Sequence, residues 1–328
     1  MEAAGEKKRR VCVTGAGGYL ASWLVKLLLS RGYFVHGTVR DPGDSKNAHL
    51  KNLDGAAENL QLFKAELLDY NSLVSAIAGC EGVFHVATPV PPKKSSNPEV
   101  EVVVPAVTGT LNVLKACSEA KVKRVVVVSS AVAVLMSPNW PKGKIRDENC
   151  WSDEEYCRKT ENWYYYSKTL AEREALDFAE KNRLDVVTVC PSFIIGPLLQ
   201  SNINASSLFL INLLKGVRPT VENKVLYLVD IRDVADALLL VYEEPNASGR
   251  HICAPHLVKM QDLVDMLKNL YPHHKYPEIL TEEEEEEEED CEMHSVKLNN
   301  LGWKCRTLQE TLIDTIEYHR AAGLLDRV

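Results

Sequence analysis

The chain has 328 residues, 45% hydrophobic and 26% charged, as in an ordinary soluble globular protein of one large or two intermediate domains. No apolar stretch reaches the ~18 residues that a membrane-spanning helix needs, and no apolar region follows the basic residues near the N-terminus. These patterns predict neither a membrane protein nor a secreted one.

The net charge of −8 comes from one short segment. Residues 282–290 are an unbroken run of eight glutamates and one aspartate, without which the net charge would be +1. Like charges packed this tightly repel one another, so the run is typical of a solvated loop. The basic run KKRR at 7–10 is short and precedes a strand, so we expect it to be solvated too and predict no nucleic-acid partner.

Nine cysteines are scattered along the chain without a CxxC pair. This pattern lacks the ligand spacing of a metal site, so no metal is predicted. Mostly buried thiols in the reducing cytoplasm account for it best. Cys150 and Cys157 flank a short acidic segment, and a reversible disulfide between them is a hypothesis that counting free thiols after mild oxidation would test.

The segment 1–190 alternates strands and helices. Apolar, β-branched runs predict strands at 10–14, 33–39, 60–64, 82–86, 124–129 and 185–190. Between the first two, apolar residues recur at helical spacing from Leu20 to Leu28, and Gly32 is the expected stop. Pro105 lies inside an otherwise helical stretch at 99–120, where we expect a kink or a late start. The alternation predicts an α/β fold with a doubly wound parallel sheet and right-handed crossovers.

The rhythm of the sequence changes after about residue 190. The segments SFIIGPLLQ, NASSLFLINLLKG and HLVKMQDLVDMLKNLYP read as helices joined by long loops, and KVLYLVD at 224–230 reads as a strand that returns to the main sheet. We therefore predict a main domain at 1–190, to which 224–250 returns. Residues 191–223 and 251–328 are predicted to form a smaller mixed lobe that binds a substrate.

The stretch TGAGGYLA, residues 14–21, lies where the first strand ends and the first helix begins. A backbone that turns tightly here presents N–H groups at the positive end of a helix, where a pyrophosphate binds. Gly15 and Gly18 remove side chains that would block a close approach, and Ala21 is small enough for helix–strand packing. The spacing is GxxGxxA rather than GxGxxG, but its place between strand and helix predicts a dinucleotide-binding (Rossmann) domain.

The end of the second strand predicts which dinucleotide binds. An acidic side chain here would bind the ribose hydroxyls of NAD, whereas a cation accommodates the extra phosphate of NADP. Arg40 stands at this position and Lys46 follows in the next loop. Asp41 and Asp44 compete, but they come later and lie in a turn, so we predict NADP(H). The alternative is that Arg40 simply pairs with a neighbouring aspartate.

The segment NWYYYSKTLAE, residues 162–172, offers three tyrosines next to Lys168. On a helix Tyr164 lies about 40° around the axis from Lys168 and Tyr165 about 60°, whereas Tyr166 points to the opposite side. Geometry leaves the first two tyrosines as candidates. A nearby ammonium makes a phenol of reference pKa ~10 a more effective acid–base group, as carbonyl reduction by hydride requires.

Two serines complete the candidate site. Ser129 and Ser130 end the fifth predicted strand at the carboxyl edge of the sheet, where ligands of such folds bind. The combination of TGAGGYLA, Tyr-x-x-x-Lys and the spacing from Ser130 to Tyr164 resembles the extended short-chain dehydrogenase/reductase family. The resemblance implies that Tyr164 donates a proton and that Lys168 lowers its pKa and binds the nicotinamide ribose. It also implies that Ser130 steadies the carbonyl oxygen, with Ser129 as the second candidate.

The similarity narrows over nearly the whole chain to one group of plant reductases. The motifs TVRDP, GVFHVATPV, ENCWSDEEYC, NWYYYSKTLAE, GPLL, DIRDVADAL and ASGRHICA resemble the cinnamoyl-CoA reductase and dihydroflavonol reductase group. By this resemblance Tyr165 and Tyr166 pack or form a pocket wall, and Arg40 and Lys46 bind the NADP phosphate. Glu66 stands where the group has an aspartate near the adenine. The implied cofactor contacts are those of Gly15, Gly17, Gly18, Tyr19, Leu20, Arg40, Lys46, Glu66, Leu67, Val86, Ala87, Thr88, Lys168, Pro191 and Ser192.

Departures from the group concern the substrate. Tyr165 and Ser167 replace a cysteine and a glycine of cinnamoyl-CoA reductases. Phe209 and Asn212 stand where those enzymes have a histidine and a lysine. An asparagine of dihydroflavonol reductases is Leu135 here, so polar contacts to a phenolic ring, CoA or a flavonoid hydroxyl should be weaker. The candidate substrate contacts are those of Leu135, Met136, Tyr164, Ile194, Leu208, Phe209, Asn212 and Arg250. Among them, an aromatic ring requires apolar walls, which we predict from Leu135, Met136, Ile194, Leu208 and Phe209.

These observations predict an NADPH-dependent reductase, similar to cinnamoyl-CoA reductase, of a phenylpropanoid-type aromatic carbonyl compound of plant lignin chemistry. The small-molecule substrate is an aromatic aldehyde, ketone or CoA thioester, and we expect a cytoplasmic monomer or homodimer. A sugar-nucleotide epimerase or dehydratase on the same fold is the second hypothesis, which Arg40 and the apolar second lobe argue against. The third is a non-enzymatic dinucleotide sensor, which the presence of both Tyr164 and Lys168 disfavours.

Overall fold

The computed structural model describes residues 9–88, 97–141, 143–280 and 292–325, so the acidic run at 282–290 lies outside the described residues. The strands are β1 (Arg10–Val13), β2 (Phe34–Val39), β3 (Leu60–Lys64), β4 (Gly82–His85), β5 (Arg124–Val128), β6 (Val186–Pro191), β7 (Phe193–Ile195), β8 (Thr220–Glu222), β9 (Val225–Asp230), β10 (Gly249–Cys253), β11 (His256–Lys259) and β12 (Glu278–Leu280). The helices are α1 (Tyr19–Ser30), α2 (Ala48–Lys51), α3 (Ala56–Asn59), α4 (Tyr70–Ile77), α5 (Val104–Glu119), α6 (Val132–Leu135), α7 (Glu154–Lys159), α8 (Trp163–Asn182), α9 (Ala205–Leu214), α10 (Ile231–Glu243), α11 (Met260–Leu270), α12 (Val296–Asn300) and α13 (Leu308–Ala321).

Seven parallel strands form the main sheet in the order β10-β6-β5-β4-β1-β2-β3. Helices α1 and α10 pack together over one face, and α4, α5 and α8 pack over the other, each layer with its own apolar core. The α/β doubly wound fold is therefore confirmed, and the six strands predicted for the segment 1–190 all form. The strand order reverses between β1 and β4, so their carboxyl ends open a crevice in which such sheets bind ligands.

The helix around Pro105 begins as predicted, with an irregular first part. Residues Glu99–Val103 form a π-helical turn, and the regular helix α5 starts at Val104. Proline has no N–H group to donate to the preceding turn, which accounts for a regular helix that begins next to it.

The combined helix Glu99–Glu119 is long and apolar enough to cross a membrane by length and composition alone. Half of its apolar window is buried inside the protein, and it packs between α4 and α8 in the core of the main domain. Core helices of this kind pass the same test, so the feature is weak evidence for a membrane span.

The prediction that the strand at 224–230 returns to the main sheet is wrong. Strand β9 pairs with β7 in parallel and with β11 in antiparallel orientation, in a separate three-stranded sheet. The edge beside β6 is occupied by β10. Only Ser192 separates β6 from β7, so the chain leaves the main sheet there, and β9 follows β7 into the second lobe. An apolar run predicts a strand but not its partner, because pairing depends on the path of the chain.

The second lobe mixes strands and helices around its own core. Helices α9 and α11 confirm two of the predicted helices, whereas β7 and β11 lie within segments that were expected to be helical. Helices α9, α11 and α13 pack with the three-stranded sheet, and β8 pairs with β12 beside them. The domain boundaries predicted from the sequence, apart from the strand β9, stay a prediction.

Candidate active site

The glycine-rich turn between β1 and α1 leaves no room for side chains. Gly15 has a φ of +66°, and a Cβ atom there would lie 3.0 Å from the Cβ of Ala87. A Cβ on Gly17 would lie 2.2 Å from Oδ1 of Asn47, whose side chain is buried and donates a hydrogen bond to the Asp41 carbonyl. The sequence therefore places glycine where the backbone needs both a left-handed turn and a close approach.

The first turn of α1 offers backbone donors to an anion. Within the described residues, the N–H groups of Gly17, Tyr19 and Leu20 have no hydrogen-bond partner, and Gly18 at the N-cap has no side chain to cap them. No acidic residue occupies this turn. The arrangement fits a pyrophosphate, which binds N–H groups at the positive end of a helix. Tyr19 and Leu20 would contribute their backbone, since the Tyr19 hydroxyl binds the Gly196 carbonyl at 2.8 Å and Leu20 is buried.

The loop after β2 leaves Arg40 without an ion pair among the described residues. Asp41 accepts from the Gly43 N–H, and Asp44 accepts from the Lys46 N–H and pairs with its ammonium at 2.7 Å. Neither Asp41 nor Asp44 therefore forms an ion pair with the exposed Arg40 guanidinium. Hydrogen bonds from Lys46 are the largest cause that lowers the pKa of the Asp44 carboxyl, and the charge of Arg40 is the smallest. Arg40 is thus available to an anionic ligand, whereas Lys46 would first have to exchange its partner.

Thr14 joins the ends of β1 and β4 at the crevice. Its Oγ1 accepts the N–H groups of Val86 and Ala87 at 3.0 Å each, and it lies 3.0 Å from Nδ1 of His85. Nε2 of His85 lies 3.1 Å from Oγ1 of Thr110 on α5. These bonds fix the backbone of the segment predicted to surround the nicotinamide. Roles for Thr14, His85 and Thr110 were not predicted from the sequence, although a histidine inside an apolar strand is itself a signal.

The hydrogen-bond chain through His85 fixes the position of its proton. The Thr110 hydroxyl donates to the Ala106 carbonyl at 2.9 Å, so it must accept from Nε2–H of His85. Nδ1 is then the acceptor for the Thr14 hydroxyl. The pKa of His85 is lowered to about 3, first by burial and then by the nearby Lys168 ammonium. His85 is therefore a neutral spacer between α5 and the crevice.

Other predicted cofactor contacts lie along the same edge with different degrees of exposure. Glu66 is exposed after β3 and bonds Ser72 through its backbone. Leu67 packs on α5, where a Cβ on Gly109 would lie 2.9 Å from it. Pro191 ends β6, and the buried Ser192 hydroxyl has no partner among the described residues. A buried hydroxyl of this kind fits a polar ligand that supplies the missing hydrogen bond.

Tyr164 and Lys168 face the crevice from the first turns of α8. Tyr164 is 43% exposed, and the Ser130 side chain after β5 lies close enough to lower the pKa of its hydroxyl. Lys168 is buried, and its ammonium donates to Oγ1 of Thr88 at 2.9 Å and to the Val128 carbonyl at 3.1 Å. The structure thus brings together the phenol, the ammonium and the serine that the sequence analysis selected.

The pKa of Tyr164 is raised by burial, and the Ser130 side chain acts in the opposite direction. Lys168 is not among the groups that shift it. The Lys168 ammonium donates to Thr88 and to the Val128 carbonyl, and its lowering of the Tyr164 pKa stays a prediction. Burial also lowers the pKa of Lys168 to about 8, against the opposing charge of Glu172.

The structure distinguishes the two serines and the three tyrosines. The Ser129 hydroxyl donates to buried Glu172 at 2.7 Å, which leaves Ser130 as the hydroxyl that faces Tyr164. The Tyr166 ring packs edge-on against Trp163 at 6.3 Å. Tyr165 is half-buried, and its pKa is raised by burial and by Cys157 rather than by any group of the crevice.

Arg250 does not contact the crevice, contrary to the prediction that it binds substrate. It is 6% exposed in β10, and all five of its N–H donors are occupied. Two bonds run to Glu172, at 2.9 and 3.2 Å, and three run to the carbonyls of Glu148, Cys150 and Ala133. Its guanidinium also stacks on Trp151 at 3.4 Å. No donor remains for a ligand, so its role is internal to the protein.

The apolar wall of the cleft comes mainly from β7 and α9. The rings of Phe193 and Phe209 meet edge-on at 5.4 Å, and Phe193 and Leu208 remain 38% and 47% exposed. Ile194, which was predicted to line this wall, packs against the core of the main sheet. Side chains alternate along a strand, so the sequence analysis selected the neighbour of the residue that meets Phe209.

The remaining predicted substrate contacts lie at the C-terminal end of α6 and on α9. Leu135 packs partly against a small core beside α6, and the Met136 N–H binds the Ser152 hydroxyl at 2.9 Å. Asn212 is half-buried on α9, and its carbonyl accepts from the Val217 N–H. Their role towards a substrate stays a prediction.

The described part of the chain includes Cys150, Cys157 and other side chains that could hold a metal ion. Cys150 and Cys157 are both buried as free thiols, and burial raises the pKa of each. Among the residues that the structure describes, no group of three or more histidine, cysteine, aspartate or glutamate side chains is arranged to hold a metal ion. The reversible disulfide and the cytoplasmic location stay predictions.

Known proteins resemble the chain in sequence and in structure. The model of the NAD dependent epimerase/dehydratase family matches residues 11–253. Cinnamoyl-CoA reductase 1 of Petunia hybrida is 45% identical over 96% of this chain and 93% of that protein. Tetraketide alpha-pyrone reductase 1 of Arabidopsis thaliana is 42% identical over 98% and 99%.

Two solved structures of reductases share the fold. Vestitone reductase from alfalfa superposes with a TM-score of 0.82 at 34% identity, over 97% of this chain and 100% of that one. The yeast methylglyoxal/isovaleraldehyde reductase Gre2 complexed with NADPH superposes with a TM-score of 0.83 at 26% identity, over 96% and 100%. The chain therefore belongs to the NAD dependent epimerase/dehydratase family, the extended short-chain dehydrogenases/reductases, and is similar within it to the plant cinnamoyl-CoA reductases.

Proposed function

We propose that this protein is an NADPH-dependent reductase of aromatic carbonyl compounds of the phenylpropanoid type. The observation that carries the proposal is the placement of Tyr164 beside Ser130 at the carboxyl edge of the sheet, with the buried Lys168 ammonium one helical turn away. The similarity to named cinnamoyl-CoA reductases, and to a yeast reductase solved with NADPH, supports the reaction class and the cofactor.

Each polar group of the crevice has a separate role in this reaction. When bound, NADPH supplies a hydride to the carbonyl carbon. Tyr164 donates its proton to the carbonyl oxygen, and its raised pKa keeps it protonated at neutral pH. Ser130 donates a hydrogen bond that holds the same oxygen in place. Lys168 lends a positive charge to the crevice and thereby stabilises the phenolate that remains.

The loop after β2 supports the choice of NADPH, and this can be tested by one substitution. Arg40→Gln is expected to raise the KM for NADPH by about 10-fold to 100-fold, since one or two charge-assisted hydrogen bonds to a phosphate are lost. The KM for NADH should change little, because NADH lacks that phosphate. Steady-state kinetics with both cofactors measure this, and Arg31→Gln at the far end of α1 is the matched control. Equal losses with both cofactors would contradict the role of Arg40.

A panel of carbonyl compounds tests the function itself. We expect the purified protein to oxidise NADPH with at least one aromatic carbonyl among coumaroyl-CoA, feruloyl-CoA and the corresponding free aldehydes. The rate is followed as the loss of NADPH absorbance. Failure with every aromatic carbonyl would refute the proposal, and tightly bound NAD in the purified protein would favour an epimerase or dehydratase instead.

A second candidate is a reductase of free aromatic aldehydes or ketones that does not act on CoA thioesters. Two observations favour it: Arg250 has no donor left for a CoA phosphate, and Phe209 packs on Phe193 to give an apolar wall. An apolar wall of this kind suits a neutral ring. On the same panel the candidate requires higher kcat/KM values for free carbonyls than for the thioesters. The reverse order would exclude it.

A further inference from the structure

The carboxylate of Glu172 lies at the centre of a buried hydrogen-bond network. Glu172 is 1% exposed on α8. Its Oε1 accepts from the Thr188 hydroxyl at 2.6 Å, the Cys190 thiol at 3.3 Å and Nε of Arg250 at 2.9 Å. Its Oε2 accepts from the Ser129 hydroxyl at 2.7 Å and from Nη2 of Arg250 at 3.2 Å. Five donors on one buried carboxylate leave it fully satisfied.

These donors come from three adjacent strands of the main sheet. Ser129 follows β5, Thr188 belongs to β6 and Arg250 belongs to β10, directly opposite Thr188 in the register. Glu172 therefore ties α8, the helix that carries Tyr164, to all three strands at once.

The same network holds the backbone on both sides of Ser130. Before it, Ser129 is bound to Glu172. After it, the Ala133 carbonyl accepts from Nη2 of Arg250 at 3.4 Å. Ser130 itself has no bond to the network, and its Oγ accepts from the Val132 N–H at 3.3 Å. Its side chain is near enough to Tyr164 to affect the pKa of that phenol, while its neighbours are fixed.

We propose that Glu172 is a positioning residue of the reaction. With Arg250 it holds the Ser129–Ser130 turn opposite the Tyr164 hydroxyl. It also places a negative charge near the Lys168 ammonium, one turn further along α8. The inference rests on the proposed function, because it assigns Glu172 a part in that reaction.

The charge of Glu172 acts on Lys168 from one turn further along α8. Burial lowers the pKa of Lys168 to about 8, and Glu172 is the main charge that opposes this shift. The other titratable groups that face the ammonium are His85 on β4, which is neutral, and Cys190 on β6, whose thiol pKa is raised by burial. Without Glu172 the lysine would therefore lose its proton at a lower pH.

Glu172→Gln tests the proposal with little change of shape. We expect kcat to fall by about 10-fold to 100-fold, since small displacements of reacting groups have effects of this size. The Kd for NADPH should stay within about twofold of the wild-type value. The alkaline limb of the kcat–pH profile should move to lower pH by on the order of one unit. Asp185→Asn is the matched control, because Asp185 pairs with Arg124 at the opposite end of the same strands.

A double variant covers the case in which Glu172→Gln does not fold. Glu172→Leu with Arg250→Met replaces the ion pair by apolar side chains, a change that buried pairs often tolerate. A folded variant of either kind with wild-type kcat and an unmoved pH profile would overturn the proposal.

Crystal structures separate this proposal from the proposed function. We expect Ser130 Oγ in Glu172→Gln to move by about 1 Å from its wild-type distance to the Tyr164 hydroxyl. An unmoved Ser130 would overturn the positioning role. This comparison holds even if the protein reduces no aromatic carbonyl compound, in which case only the proposed function fails.

Discussion

Replacing Tyr164 by phenylalanine is expected to lower kcat by about 10²-fold to 10⁴-fold, the range that a positioned acid–base group contributes. The substitution removes one hydroxyl near Ser130 and leaves the ring in place. NADPH binding and thermal stability should stay close to wild type, because the side chain is 43% exposed at the crevice. Stopped-flow or steady-state kinetics, together with fluorescence titration of NADPH, measure both quantities.

The neighbouring tyrosines provide the controls for this prediction. Tyr166→Phe should leave kcat unchanged, since the Tyr166 ring packs on Trp163 away from Ser130. Tyr165→Phe tests the tyrosine that helix geometry alone left open. A large loss in Tyr165→Phe together with near-normal activity in Tyr164→Phe would show that the proton comes from the other tyrosine.

Replacing Lys168 by methionine is expected to lower kcat by at least about 10²-fold, because a preorganised charge in a buried site is lost. Methionine keeps much of the apolar stem but cannot donate to Thr88 or to the Val128 carbonyl. Lys181→Met in the last turn of the same helix is the control, since that side chain is exposed.

The pH dependence of the wild-type enzyme follows from the same ammonium. Lysine carries its charge below its pKa, and burial lowers the pKa of Lys168 to about 8. Activity should therefore be present at neutral pH and decline as the pH rises through about 8, as the ammonium loses its proton. Lys168→Met should abolish this alkaline limb, and a variant that retained it would assign the titration to another group.

Much of the fold was predictable because its signals are local. The glycine-rich turn could be recognised because Gly15 takes a positive φ between β1 and α1, a constraint that acts within a short stretch of chain. Helix α1 and the six strands of the segment 1–190 follow from apolar periodicity, which is a property of consecutive residues. The family could be recognised from motifs for the same reason.

The candidate active site was predictable only in part. The i, i+4 spacing of Tyr164 and Lys168 places both on one face of α8, and Glu172 continues that stripe by another turn. The glutamate was not predicted from the sequence, because its role appears only where donors from separate strands converge.

The turn, the alternating strands and helices, and the phenol and ammonium on one helical face could be predicted, since all of these depend on neighbours along the chain. The sheet that β9 joins, the serine that lies beside Tyr164 and the partners of Arg250 became known only from the folded chain. Each of those outcomes depends on residues far apart in sequence that compete for the same strand edge or the same buried donors. The sequence alone does not show whether a polar side chain binds a substrate or a buried carboxylate, because that depends on the residues that surround it in the folded protein.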